Sequence, residues 1–403
     1  MMLRLLRRET HIRSQTLGSS YDVVIIGGGG HGLATAYYLA KEFGVKDVAV
    51  LERSYIGSGG TGRNTTVLRA NYKTPDTIRF YQKSFDLYAS LAQELDYHML
   101  RSERGLLWLA HSEAQLRNQR ERALQNQHFG VNTVYLDARQ VADVCPQIDM
   151  TAGGKRPILG AAYHPPGGII RHDAVAWGYA AAGQRLGVHI HQGVEVTGVR
   201  IEHGHTVGVE TNRGFISAGK VLSAVGGYVT QVADMAGIRL PIVTHPLQAF
   251  VTESYKPVLD RIVASADLHI YVSQSARGEL LVGAEIDPYT SYSTRSTFPF
   301  LASCSSRAID LFPFMAKLKI LRQWTGVCDM TPDYSPLMGV TEVDRFHISS
   351  GWGTWGFKAI PASGILMAEL LATGKVPALM APFALDRFRW DRAVSERASA
   401  GTH

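Results

Sequence analysis

The first clear hydrophobic pattern in the chain is Tyr21-Asp22-Val23-Val24-Ile25-Ile26, a short, β-branched, nearly continuous apolar run. Such a run predicts a strand buried on both faces, as in a parallel sheet. It passes straight into Gly27-Gly28-Gly29-Gly30-His31-Gly32, after which residues 33–40 read as a helix. A second buried run, Val48-Ala49-Val50-Leu51, ends in Glu52. Together these segments predict a β-α-β unit near the N-terminus. Another Gly-rich stretch follows at 57–64, and residues 75–130 read as largely helical and charged. Short strands are expected over 188–225, ending at Gly226-Gly227, then mixed strands over 245–330 with a helix near 304–312. Near the C-terminus, His347-Ile348-Ser349-Ser350 leads into the segment GWGTWGFK at 351–358, followed by a helix through 365–371. No internal repeat or low-complexity linker interrupts the pattern. Nucleotide-type features at both ends predict an α/β fold with a discontinuous Rossmann-like domain and an inserted mixed-sheet domain. The expected cofactor-domain segments are 21–90, 160–230 and 330–395. The inserted substrate or interface domain takes 91–159 and 231–329, and residues 1–20 form a basic tail.

Composition narrows the classes. The chain has 403 residues, 45% hydrophobic and 19% charged, which is a globular balance. Its 40 glycines lack a collagen-like period, and fourteen of them gather in four clusters, at 27–32, 57–62, 226–227 and 351–356. No run approaches the roughly 18–20 apolar residues of a membrane span, so a soluble protein is expected. The first twenty residues carry four Arg and one acid without an apolar core, so a secretory signal is not expected. They read as a mobile or partner-docked tail, and their Arg and Ser content also suits a mitochondrial-type presequence. Cys145, Cys304 and Cys328 have no CxxC spacing, which predicts neither disulfides nor a metal site and fits a reducing, cytoplasmic compartment. The net charge of +6 is mild and scattered, with no nucleic-acid-binding motif. Anionic small molecules are the better-matched partners.

The first glycine cluster carries chemistry because of its context. Gly27-x-Gly29-x-x-Gly32 follows a strand and opens a helix, with Glu52 twenty residues later at the end of the next strand. Gly27 permits the tight turn, Gly29 lets the backbone approach a pyrophosphate, and Gly32 lets helix and strand pack closely. The helix N-terminus offers free N–H groups to phosphates, and the acid accepts from ribose hydroxyls. This unit predicts a dinucleotide site and leaves FAD and NAD both open.

Segments across the chain resemble a known family. GGGGHGLATAYYLAK, GRNTT, RHDAVAW, HPLQAFV, YVSQSARGELLVGA, GWGTWGFK and APFALDRF resemble the amine-oxidising FAD flavoproteins, which include glycine oxidase, D-amino-acid oxidase and the sarcosine oxidases. Within them, the chain is most similar to the β subunits of bacterial heterotetrameric sarcosine oxidases, from Tyr21 to about Arg389. The resemblance implies a noncovalent FAD contacted by Gly27, Gly29, Gly30, His31, Gly32, Glu52, Gly60, Thr61, Asn64, Thr65, Val67, Val196, Gly353, Gly356 and Lys358. It further implies an FMN joined through its 8α-methyl group to His172, at the boundary with a larger α subunit. That subunit carries the NAD and folate sites, and small γ and δ subunits complete the complex. The residues alone do not separate His172 from the other fourteen histidines, and a satisfied core or surface histidine is the ordinary reading. Monomeric relatives attach FAD to a Cys at a position that falls on Gly326 here. Cys328, two residues on, reads as a small buried side chain.

The same resemblance implies the reaction. A hydride leaves the N-methyl carbon of sarcosine for FAD, electrons pass to FMN and oxygen to give peroxide, and the one-carbon unit goes to tetrahydrofolate or is released as formaldehyde. The amine must be neutral to release electrons. Arg69 and Lys358 match the residues that hold the substrate carboxylate, Arg as a bidentate grip and Lys as a point charge. A surface ion pair for Arg69 and a solvated loop lysine for Lys358 are the alternatives. Gly353 and Gly356 allow close approach to the flavin, and the following helix aims its N-terminus at the ring edge that gains charge. His269 and Tyr271 are candidates for the substrate side. An imino-acid or opine dehydrogenase subunit and a noncatalytic FAD-binding scaffold are the competing functions.

Overall fold

The computed structural model describes residues 12–396. The part of the basic tail before Ile12 lies outside the described residues. The strand Ser20–Ile26 is flanked in parallel by Val48–Glu52 and Gly214–Ser223, as its two-sided apolar pattern requires. His189–Gln192 extends the sheet on one side, and Phe346–Ser350 and the hairpin strands Val196–Glu202 and His205–Thr211 on the other. All five residues of Val48–Glu52 are buried, so both faces of the sheet must be covered.

One face is covered by the helices Gly30–Phe43, His172–Arg185 and Gly356–Thr373. Two of them cross closely: a Cβ on Gly364 would press on Ala34. The last helix starts at Gly356, nine residues before its expected apolar stretch, and runs through Pro361. Proline removes the N–H that would bond the carbonyl of Phe357. Tyr88 Oη supplies the missing donor at 2.6 Å, so the helix continues. Tyr88 belongs to Pro75–Glu94, which packs beside this helix and is capped by Thr74.

A second sheet of eight mostly antiparallel strands holds Leu106–Ala110, Val134–Asp137, Gly160–His164 and the strands between Val243 and Met330. Two details differ from the sequence expectation. The fully buried strand Leu106–Ala110 interrupts the helical stretch over 75–130. Gly160–His164, assigned above to the cofactor segment 160–230, pairs with that strand in the second sheet. Short-range charge masked the first strand, and no composition shift marks the crossing at 160. A three-stranded ribbon, Val67–Leu68, Ser102–Glu103 and Gly168–Ile169, lies between these layers in sequence. No described helix is long and apolar enough to cross a membrane.

Candidate active site

A cleft of about 470 Å³ is lined by residues from both large sheets. All four glycine clusters contribute to its wall. At one end the backbone dominates. Gly27 takes φ +110°, and a Cβ there would strike the Ala224 carbonyl. A Cβ on Gly32 would strike the Gly27 carbonyl oxygen, so Gly32 serves the strand–helix packing and does not itself line the cleft. The helix Gly30–Phe43 has no acid in its first turn and no side-chain cap on Gly29. Its N-terminal amides therefore remain suited to an anion.

Glu52 is buried and lines the cleft. Its Oε2 accepts from the Gly28 N–H at 2.9 Å and its Oε1 from the Ser54 N–H at 2.8 Å and Ser58 Oγ at 3.2 Å. A carboxylate has about four acceptor positions, so one more hydroxyl can be served. Thr61 Oγ1 accepts from the Gly30 N–H at 2.9 Å, tying the second glycine loop to the first. Asn64 closes that loop on itself through the Thr61 carbonyl and the Thr66 N–H. Gly60, Thr61, Asn64, Thr65, Val67 and Val196 all face the cleft.

The middle of the cleft is bounded by the 351–358 segment. Gly353 has φ +53°, and its N–H donates to the Asp329 carbonyl at 3.0 Å. The Asp329 side chain accepts from the Gly351 N–H at 2.6 Å. Burial pushes this carboxyl up to about 6, although backbone donors oppose the shift. His31 stacks on Trp352 with ring centroids 4.2 Å apart, and its Nδ1 lies 2.5 Å from Ser363 Oγ. Burial holds the imidazole down to about 3, so it is neutral at physiological pH. Trp352 lines the cleft with a buried Nε1 that has no hydrogen-bond partner among the described residues.

The far end is cationic. Arg69 is buried, and its Nη1 donates to the Asn71 carbonyl at 2.8 Å. Its guanidinium lies 4.1 Å from the Tyr72 ring centroid and 4.8 Å from that of Trp108. Lys358 is also buried, with Nζ 3.3 Å from the Thr354 carbonyl. Burial first, and then Arg69, pull its ammonium well below the usual lysine range. It also sits in the first turn of a helix, where a cation opposes the dipole. The charged lysine is thus disfavoured three ways until an anion arrives. Ala70, next to Arg69, donates its N–H to His164 Nε2 at 3.3 Å, while His164 Nδ1 meets the Asn132 carbonyl at 2.7 Å. That pair of bonds fixes the neutral tautomer, and burial holds His164 down to about 4.

These positions fit a flavin dinucleotide at one end and a carboxylate at the other. The FAD dependent oxidoreductase family profile matches residues 22–370. The chain belongs to the FAD-dependent oxidoreductase family. It is 45% identical over 94% of its length to sarcosine oxidase subunit beta of Rhodobacter capsulatus, covering 92% of that protein. It is 43% identical to the Arthrobacter protein of the same name, again with 94% of each chain covered. Among solved structures, L-proline dehydrogenase from P. horikoshii superimposes with a TM-score of 0.86 at 27% identity, covering 93% of this chain and 99% of that one. Glycine oxidase from Geobacillus kaustophilus shares the fold, with a TM-score of 0.83 at 24% identity over 92% of this chain and 99% of that one. The protein is therefore an oxidoreductase of the glycine-oxidase fold, its cofactor is FAD, and the resemblance to the sarcosine oxidase β subunits holds along nearly the whole chain.

Arg69 and Lys358 come together from positions far apart in sequence, and Tyr271 joins the cleft wall while His269 does not. Gly326 and Cys328 also line it; burial raises the Cys328 thiol, which makes it a poor nucleophile. His172 stands outside the cleft, in the first turn of His172–Arg185. Its Nδ1 is buried without a hydrogen-bond partner among the described residues, and burial lowers its basicity. Sequence reasoning missed Trp108, His164 and Asp329. Only Trp108 left a trace, as the aromatic centre of the apolar run Leu106–Ala110.

Proposed function

We propose that the protein oxidises sarcosine to glycine as the flavin-bearing subunit of a larger complex. The observation that carries this reading is the convergence of buried Arg69 and Lys358 on the cleft lined by the dinucleotide loops. When bound, FAD supplies the hydride acceptor. The glycine loop, Thr61 and Glu52 hold its phosphates and ribose, and the N-terminus of Gly356–Thr373 stabilises charge that builds at the ring. Arg69 grips the substrate carboxylate and Lys358 adds a second charge once the anion restores its proton. The apolar wall, which includes Leu106, Ile262 and Tyr271, excludes water from a neutral secondary amine.

The complex follows the printed names of the relatives: a β subunit has partners. The reading includes a larger α subunit with NAD and folate sites, small γ and δ subunits, and a cytoplasmic setting. It also includes an FMN joined to His172, which opens the helix His172–Arg185 outside the FAD cleft. That second flavin would pass electrons to oxygen, giving peroxide, while the one-carbon unit goes to tetrahydrofolate or formaldehyde. Acid denaturation, removal of free flavin and peptide mapping test the link: yellow colour on a peptide containing His172 supports it, and a colourless chain refutes it.

The likeness to L-proline dehydrogenase favours one second reading, an imino-acid dehydrogenase. Sarcosine and proline are both secondary amines with a carboxylate, so the same grips serve either. Steady-state turnover decides between them. Higher kcat/KM on sarcosine with peroxide release supports the oxidase; preference for proline with a dye as the sole acceptor supports the alternative.

A further inference from the structure

The helix Glu113–His128 of the second sheet's layer is strongly polar, and its Arg117 and Arg120 are exposed. Arg122 on the same helix is 2% exposed. Its guanidinium lies 4.6 Å from the Trp108 ring centroid, the ring that also carries Arg69 at 4.8 Å. Trp108 lines the cleft and Arg122 does not. Two guanidinium groups thus share one indole, and burying a cation there is costly. Burial, then the charge on Arg69, lower the Arg122 guanidinium to about 9, with Glu396 opposing. Buried Glu396 supplies part of the counter-charge, and an anion in the cleft adds to it.

We propose that Arg122 is a positioning residue of the carboxylate site: it braces the Trp108 ring on which Arg69 rests and supplies a second layer of positive charge behind it. The site then prefers anionic amines over neutral ones by more than Arg69 and Lys358 alone provide. The proposal rests on the amino-acid oxidation reading above and assigns a role that reading does not need.

Flavin-loaded Arg122→Met and Arg122→Lys are the test. Each is assayed with sarcosine and with its neutral amide, and titrated with acetate while the flavin absorbance is followed. For Arg122→Met, the expected result is about a tenfold rise in KM for sarcosine and in Kd for acetate, with the amide changed less than about threefold. Arg122→Lys should recover part of the loss at low pH and little at high pH, since a buried lysine beside Arg69 keeps its proton only at the lower pH and cannot brace the indole as a planar guanidinium does. An equal loss on sarcosine and amide means a packing role and overturns the proposal, as does an unchanged acetate Kd in Arg122→Met. If the unaltered protein oxidises no sarcosine, the functional reading fails, and the acetate titration still decides the role of Arg122.

Discussion

The two ends of the cleft are built by different means. The dinucleotide end uses backbone: glycines, a helix N-terminus and one carboxylate, nearly all within residues 26–65. The carboxylate end uses side chains from distant segments, with Arg69, Trp108, Tyr271 and Lys358 brought together by two sheets and a late helix. A backbone site is rigid, and at Gly27 and Gly32 it has no room for an added side chain. A side-chain site depends on burial and mutual charge, and responds to pH and ligand.

The largest break comes from adding atoms to the first end. Gly32→Val should leave the purified protein without flavin, because the new side chain meets the Gly27 carbonyl; absorbance of the purified protein reads this directly. Next is Arg69→Ala, which should keep its flavin yet lose about a thousandfold in kcat/KM on sarcosine, on the order of 4 kcal/mol for truncating one side of a buried charge pair. Loss of flavin in that variant would mean that the two ends are not separable.

A smaller effect separates the charges within the cationic end. Lys358 is pulled far below its ordinary value, so it binds a proton when an anion arrives. Acetate affinity should therefore fall as pH rises through the lysine's lowered range, and Lys358→Met should flatten that slope. The smallest effect concerns Asp329. Its folded value of about 6 lies above the ordinary carboxyl value of 3.8, so the folded state binds the extra proton. Stability from this group is full below about pH 4 and is lost as pH rises through about 6. Asp329→Asn should remove that part of the slope in chemical denaturation across this window.

The difference between the ends also explains what could be read in advance. The first end is local: a buried strand, three spaced glycines and an acid at a fixed distance follow one another, so the pattern states the geometry. Arg69 and Lys358 stand 289 positions apart by residue number, and their residue types alone suit an ordinary surface ion pair and a solvated lysine equally well. Resemblance to a family, not periodicity, selected them. The roles of Trp108, His164 and Asp329 are hidden in the sequence for a physical reason: each acts through a contact that exists only after the second sheet closes, Trp108 under Arg69, His164 behind Ala70, and Asp329 against Gly351. The crossing at Gly160–His164 was hidden likewise, since an apolar strand gives no hint of which sheet it joins.

One measurement tests the pairing of the two ends most directly. The flavin-loaded protein is mixed with sarcosine in the absence of oxygen, and in parallel with the neutral amide of sarcosine, while the visible flavin absorbance is recorded. The account predicts rapid bleaching by sarcosine and far slower bleaching by the amide. Equal rates with both, or no bleaching with sarcosine, would contradict it.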